Sequence, residues 1–330
     1  MRAIVAGHIC LDFTPRLPAD AEIVPGTLRE VGPMTVSAGG CVYNTGSALA
    51  ESGIEVVMAA EVGQDVLGDL LAEQLRTEGF TAALTRSPEL ATSFSIVLER
   101  PGEDRSFWHH VGACADFDGS RVSLADADAL HVGYPSLLPA LAADGGRALL
   151  ALLHRARGRG LLTSVDLAVV DETAEAASID WTDLLARMCA LTDVFTPSID
   201  DLQSALSADA TDGSDDVVAH AEWAIAHGAA VVALSAGSRG SFLAVADEER
   251  LRRVPGALAM HAAAWSGYRG WVPAAPVDVV RTTNGAGDAH SAGFLAALLR
   301  GADPGTAARC AAEAARARIQ GLPIRESIPQ

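Results

Sequence analysis

The chain contains no lysine. All 24 of its basic residues are arginine, set against 42 acidic residues, for a formal net charge of -18 over 330 residues. This absence excludes Schiff-base chemistry, Ser-Lys dyads and the lysine of a phosphate-binding P-loop. Ala, Gly and Arg run high together, so compositional drift accounts for it as readily as function does. The negative balance opposes non-specific binding to nucleic acid, whose phosphates it repels. The dense basic groups, Arg155/Arg157/Arg159 and Arg252/Arg253, read as solvated ends of elements. No stretch approaches about 18 uninterrupted apolar residues, so no membrane-spanning helix is expected. The N-terminus runs straight into a β-like segment without the apolar stretch of a signal peptide. Five cysteines (Cys10, Cys41, Cys114, Cys189, Cys310) are scattered without a CxxC, which suggests neither a disulfide framework nor a zinc site. No serine has the GxSxG spacing of a hydrolase. The expectation is a cytoplasmic enzyme acting on a small molecule, without a nucleic-acid or membrane partner.

What is present is ordinary globular composition, 49% apolar and 20% charged. Short apolar β-like runs alternate with longer helical stretches. Ile4–Gly7, Val56–Ala60, Leu130–Val132, Leu161–Asp166, Val194–Thr196 and Ala230–Ser235 read as buried strands. Asp65 caps a helix over Val66–Glu78 that Gly79 stops, and Ser214 caps one over Asp215–His227 that Gly228 stops. This order predicts a single α/β domain over 1–330, with a mostly parallel sheet and helices on both faces. Two segments break it. Ala91–Glu99 and Arg105–Val111 flank the turn Pro101-Gly102-Glu103-Asp104 and read as a hairpin. Asp12–Thr35 carries four prolines and two glycines and reads as extended chain. Together, approximately 12–36 and 91–111 are expected to form a small β-lid.

Two glycine-rich segments carry the chemistry. Near the C-terminus, Val277–Thr283 reads as a strand feeding Asn284-Gly285-Ala286-Gly287-Asp288 and a helix that runs to Arg300. Glycines let several N–H groups converge, and a helix N-terminus adds partial positive charge. That makes an anion hole which needs no lysine. Asp288 stands at its mouth, where a carboxylate could take the proton of an attacking hydroxyl, or could only cap the helix; the local sequence leaves both roles open. A dinucleotide fingerprint is disfavoured because His290 stands where the third glycine belongs. The second segment, Ser37-Ala38-Gly39-Gly40-Cys41-Val42-Tyr43-Asn44, again opens a helix with glycines. Asn44 can both donate to and accept from vicinal hydroxyls.

At this separation the two segments resemble the two signatures of the ribokinase-like, or PfkB, carbohydrate kinases, and the likeness extends through most of the chain. Gly7-x-x-x-x-Asp12 is similar to the family's opening strand, whose aspartate grips substrate hydroxyls. Gly63-Gln64-Asp65-x-x-Gly68 resembles the helix start after its second strand. Ser235-Ala236-Gly237-Ser238-Arg239-Gly240 resembles the turn that cradles ATP. Thr283-x-Gly285-Ala286-Gly287-Asp288 matches the catalytic signature, with Asp288 in the place of the general base. The resemblance implies a Rossmann-like sheet with a β-lid and frequent dimerisation through the lids. It also implies phosphorylation of a sugar or polyol hydroxyl by ATP and Mg2+. In that picture Asp12, Gly39, Gly40 and Asn44 hold the acceptor, while Ser235, Gly237, Gly240 and Thr283 hold the nucleotide.

The sequence departs from the pattern in two places. Thr282 replaces the aspartate that in many members helps hold a monovalent cation, so little activation by K+ is expected. The Asn-x-x-Glu motif linked to Mg2+ appears as Ser198-Ile199-Asp200-Asp201, which leaves Asp201 as the metal residue, acting through water. Trp108, His109 and His110 alternate faces on the second lid strand, so the two histidines cannot both point inward; His110 is taken as the substrate contact. Tyr134 either faces substrate or packs. Arg105 and Arg16 are the candidates for an anionic acceptor and otherwise read as lid charges. Two alternatives stand beside the sugar kinase. A nucleoside kinase would share the machinery, though 5% aromatics leaves few stacking platforms. A catalytically weak sugar- or nucleotide-binding protein is motivated by Thr282 and Ser198.

Overall fold

The structure, a computed structural model, describes residues 1–100, 105–206 and 214–326. Its strands are β1 (Arg2–Gly7), β2 (Cys10–Pro15), β3 (Met34–Gly39), β4 (Glu55–Gly63), β5 (Thr81–Ser87), β6 (Phe94–Leu98), β7 (Ser106–His110), β8 (Ala129–Gly133), β9 (Leu162–Val165), β10 (Val194–Phe195), β11 (Val231–Ser235), β12 (Ser241–Val245) and β13 (Arg269–Val272). Among the described residues nine of them form one sheet, in the order β13-β12-β11-β10-β9-β8-β1-β4-β5. From β5 to β11 every pairing is parallel, and β12 and β13 close the far edge antiparallel. Each of the six apolar runs singled out above lies on one of these strands.

The runs are continuous because the sheet is covered on both sides. Successive residues of a strand point to opposite faces. Val5 and Met58 lie in one core with Val42, Leu71, Phe294 and Ala311 from the helices Gly40–Glu51, Val66–Thr77, Ala286–Leu299 and Pro304–Gln320. Ile4, Ala6 and Val132 lie in the other, with Leu149, Leu184, Leu202 and Val217 from Pro139–Gly158, Trp181–Cys189, Ile199–Leu206 and Ser214–Ala226. Each fully buried Leu, Val or Phe contributes about 1.5–3 kcal/mol. Asp65 caps its helix as expected, accepting from Gly68 N at 2.8 Å. The Ser214 side chain, expected as a cap, and the expected turn at 101–104 lie outside the described residues.

The other four strands form a small separate sheet in the order β3-β2-β6-β7. Strands β6 and β7 are the expected hairpin, with Phe94 opposite His110 and Leu98 opposite Ser106. Strand β2 pairs antiparallel with β3 and parallel with β6. One expectation is corrected: Val277–Thr283 forms no strand. Pro273 and Pro276 precede it, and prolines cannot donate to a ladder. The N–H groups of Arg281 and Thr282 instead donate to the carbonyl of Ile319, at the end of the last long helix.

Candidate active site

The site lies where the parallel strands end, the usual place for ligands in an open α/β sheet. His8 follows β1, Tyr134 follows β8, Asp166 follows β9, Ser198 lies just past β10, and Ser235 ends β11. Against these ends stand the starts of two helices. Gly39 is the N-cap of Gly40–Glu51 without a side-chain cap of its own. A Cβ at Gly39 would lie 2.4 Å from Asp12 Oδ2, and one at Gly40, where φ is +79°, would lie 2.7 Å from His8 Nδ1. The two glycines are therefore needed so that Asp12 and His8 can lie directly on the helix start.

The second helix, Ala286–Leu299, starts from Gly285 in the left-handed region at φ +75°. Its first turn leaves N–H groups without intrahelical acceptors, and it carries Asp288, 5% exposed. The carboxylate is held from three sides. Thr45 Oγ1 and the Tyr134 hydroxyl donate to Oδ1 at 2.9 and 2.7 Å, and Asn44 Nδ2 donates to Oδ2 at 3.1 Å. Burial and the neighbouring carboxylate charge push the Tyr134 phenol well above its usual range, which keeps it a neutral donor.

Asp12 faces the same cradle. Its Oδ2 accepts from Asn284 Nδ2 at 2.9 Å and its Oδ1 from Cys10 Sγ at 3.3 Å. Burial raises its pKa, partly offset by those hydrogen bonds. Strand pairing then fixes which lid histidine joins it. Asp12 sits beside Ser95 and Ser95 opposite His109, so these three share a face. His109 Nδ1 lies 3.0 Å from Ser95 Oγ, and its Nε2 lies 3.3 Å from His8 Nε2. His110 is on the opposite face, against Phe94 at 5.3 Å between ring centroids. The expectation that His110 is the inward histidine is thus corrected: His109, not His110, shares the face of Asp12.

The remaining candidates form a second group. Ser198 and Asp201 make a reciprocal cap at the start of Ile199–Leu206: Ser198 N and Oγ donate to Asp201 Oδ2 at 2.9 and 2.6 Å, and Asp201 N donates to Ser198 Oγ at 3.1 Å. A bridge between Ser198 and Ser235 sets this turn beside Gly237 and Gly240. Burial pushes the Asp201 carboxyl up to about 7. Asp166, tied to Ser291 Oγ at 3.1 Å, is pushed well up by burial and then by the charges of Asp288 and Asp201. The Asp288 charge thus raises both Asp166 and Asp201, and negative charge gathered in this way suits a cation. Among the described residues no three such side chains converge as direct ligands, and magnesium needs none, because it retains several waters. Arg105 reaches from the small sheet to the hydroxyl of Thr283.

Sequence reasoning missed Thr45, Asn284, Asp166 and the His8–His109 pair. Two of them had a signal. Thr45 follows Asn44 on the same helix, and Asp166 is an acid at the end of a buried apolar run. His290 is of another kind. It is buried, neither ring nitrogen has a partner among the described residues, and burial lowers its pKa from 6.5 to about 4. The folded state therefore stays neutral where the unfolded chain takes up a proton, so stability is lost as pH falls below 6.5. By pH 5 the loss from this residue is about 2 kcal/mol. His290→Leu should melt higher than the parent by a margin that widens from pH 7 to pH 5; a constant margin would contradict this.

A buried carboxylate at a glycine-started helix, set in the strand ends of a parallel sheet beside a separate small sheet, fits a phosphotransferase of the sugar-kinase class. The chain belongs to the pfkB family of carbohydrate kinases, whose model matches residues 2–330. Among curated proteins it is 27% identical over 306 residues to a fructokinase from Rhizobium leguminosarum bv. trifolii, covering 89% of this chain and 79% of that protein. Among solved structures it resembles a ribokinase from Arabidopsis thaliana complexed with ribose and ATP, at TM-score 0.71 and 17% identity over 98% of this chain and 96% of that one. It also resembles the nucleoside kinase of Methanocaldococcus jannaschii, at TM-score 0.69 and 18% identity over 100% and 95% of the two chains. No helix among the described residues is long and apolar enough to cross a membrane.

Proposed function

We propose that the protein transfers the γ-phosphoryl group of ATP to a hydroxyl of a sugar or polyol, with Asp288 as general base and Gly285-Ala286-Gly287 as the anion hole. The observation that carries this is the donor count at Asp288. Among the described residues Oδ1 accepts from two side chains and is filled, whereas Oδ2 accepts only from Asn44. One lone pair of Oδ2 is left to receive the proton of an acceptor hydroxyl. As that proton leaves, the hydroxyl oxygen bonds to the γ-phosphorus and the bond to the ADP oxygen breaks. The first-turn N–H groups face the charge that develops. Asp12, Gly39, Gly40 and Asn44 hold the acceptor, and Ser235, Gly237, Gly240 and Thr283 hold the nucleotide. Asp201, with Asp166, would hold Mg2+ through water, and the ion would neutralise phosphate charge beside these carboxylates.

The fructokinase relative and the polar cradle favour a sugar over a nucleoside. ADP release from Mg-ATP, measured against ribose, fructose, 2-keto-3-deoxygluconate, inositols and nucleosides, tests the reading. Turnover with a sugar or polyol is the expected result. Turnover only with nucleosides would move the protein to the other branch, and nucleotide binding without any turnover would make it a binding protein.

The small sheet serves as the lid of this site and as the contact for a second copy of the chain. One of its faces carries Asp12, Ser95 and His109. The other carries an apolar row across all four strands, Val36, Phe13, Ile96 and Trp108, with Trp108 53% and Val36 40% exposed. A two-fold axis pairs such a row with itself. Light scattering should find a dimer that Trp108→Asp converts to monomer. A wild-type monomer at micromolar concentration would remove the dimer from the proposal.

A further inference from the structure

Three rings from three separate parts of the chain meet beside the glycine cradle. His8 lies 4.9 Å from His109, edge-on at 70°, and 5.8 Å from Tyr134, tilted by 38°. The chain of contacts continues from His109 through Ser95 and Cys10 to Asp12, while at the other end the Tyr134 hydroxyl is on Asp288. The rings therefore form a wall running from the carboxylate that binds to the carboxylate that takes the proton. Only one member, His109, is brought by the small sheet.

The hydrogen bonding decides what this wall can offer. Both nitrogens of His109 are committed, Nδ1 to Ser95 and Nε2 to His8, and the Tyr134 hydroxyl is committed to Asp288. Burial keeps both imidazoles neutral, lowering His109 to about 4 and His8 well below its usual value. Of the ring nitrogens in this wall, His8 Nδ1, buried against Gly40, has no partner among the described residues; what His109 and Tyr134 offer is ring faces and C–H edges. Hydroxyl recognition is left to Asp12, Asn44 and Asp288, and the two carboxylates repel an anionic acceptor. We infer that His109, backed by His8, is a specificity residue that packs an imidazole face on the C–H face of a neutral cyclic sugar, and so selects ring-form acceptors over open-chain polyols and sugar phosphates. This rests on the kinase reading above for its substrate but not for its readout.

The test is binding as well as turnover. Wild type, His109→Ala, His109→Phe and Ser95→Ala are titrated by calorimetry with a cyclic sugar, an open-chain polyol of the same carbon number and the corresponding sugar phosphate. The acceptor KM is measured in parallel. Loss of the face in His109→Ala should weaken cyclic-sugar binding by about tenfold and leave the weak polyol binding and the KM for ATP unchanged. His109→Phe keeps a face without nitrogens and should stay within about threefold of wild type. If His109→Ala does not fold, the His109→Phe comparison carries the test, with Ser95→Ala, which frees the imidazole and also removes the Ser95 contacts to Cys10 and Asp12, expected to weaken binding in the same direction. The inference is overturned if phenylalanine is as damaging as alanine, if the wild type prefers the polyol or the phosphate, or if it binds no cyclic sugar. A wild type that binds cyclic sugar through His109 without ADP release would sustain the inference and sink the kinase reading instead.

Discussion

Asp288→Asn is expected to lower turnover by about 10²–10⁴-fold while acceptor affinity stays within about threefold. The substitution keeps the shape of the side chain and one oxygen for Thr45 and Tyr134, which both donate to Oδ1. On the other side Asn44, itself an amide, can turn its oxygen toward the new NH2 group. What disappears is the lone pair of Oδ2 that no donor among the described residues occupies. The acceptor then still binds to Asp12 and Asn44 but has nowhere to send its proton. Single-turnover measurements with ATP and the sugar identified by the panel separate this step from binding. Activity within threefold of wild type would take Asp288 out of the chemistry and leave it as a helix cap.

The fold was legible to the extent that burial on both sides writes continuous apolar runs. Ile4–Gly7 and Ala230–Ser235 announce strands because each neighbour above and below is apolar. The two glycine segments were legible for a related reason: Gly39, Gly40 and Gly285 stand where a Cβ would meet Asp12, His8 or Asn44. Phase was less legible. Alternation along Trp108-His109-His110 requires one histidine inward, but which one follows from the pairing of β6 with β7, and that is set by residues elsewhere. Contacts far apart in sequence were not legible at all. Asn284 meets Asp12 across 272 residues and His109 meets His8 across 101, and nothing in either segment names the distant partner. Val277–Thr283 misled because its β-branched residues suit a strand, while the N–H groups of Arg281 and Thr282 go to the carbonyl of Ile319 and that of Asp278 to the Gln320 side chain.

Asp12→Ala should produce the converse of the base substitution: an acceptor KM raised by about 10- to 10²-fold, with the KM for ATP unchanged. Asp12 accepts from Asn284 on Oδ2 and Cys10 on Oδ1, and Ser95 bonds the carboxylate as well, which leaves one of its roughly four lone-pair positions for a substrate hydroxyl. A hydrogen bond to a charged group contributes about 1.5–3 kcal/mol, so losing it accounts for a factor of that size. The pH dependence supplies a second readout. Burial raises the Asp12 pKa above its usual 3.8, and only the ionised carboxylate offers both oxygens as acceptors. Wild-type affinity for the acceptor should therefore fall as pH drops through that raised value, and the alanine variant should lack this dependence. Because the substitution also frees Asn284, next to Gly285, a loss of turnover of up to about tenfold is compatible with the binding role. A variant that lost turnover with its acceptor KM unchanged would instead place Asp12 in the transition state, and the division of labour between the two aspartates would have to be abandoned.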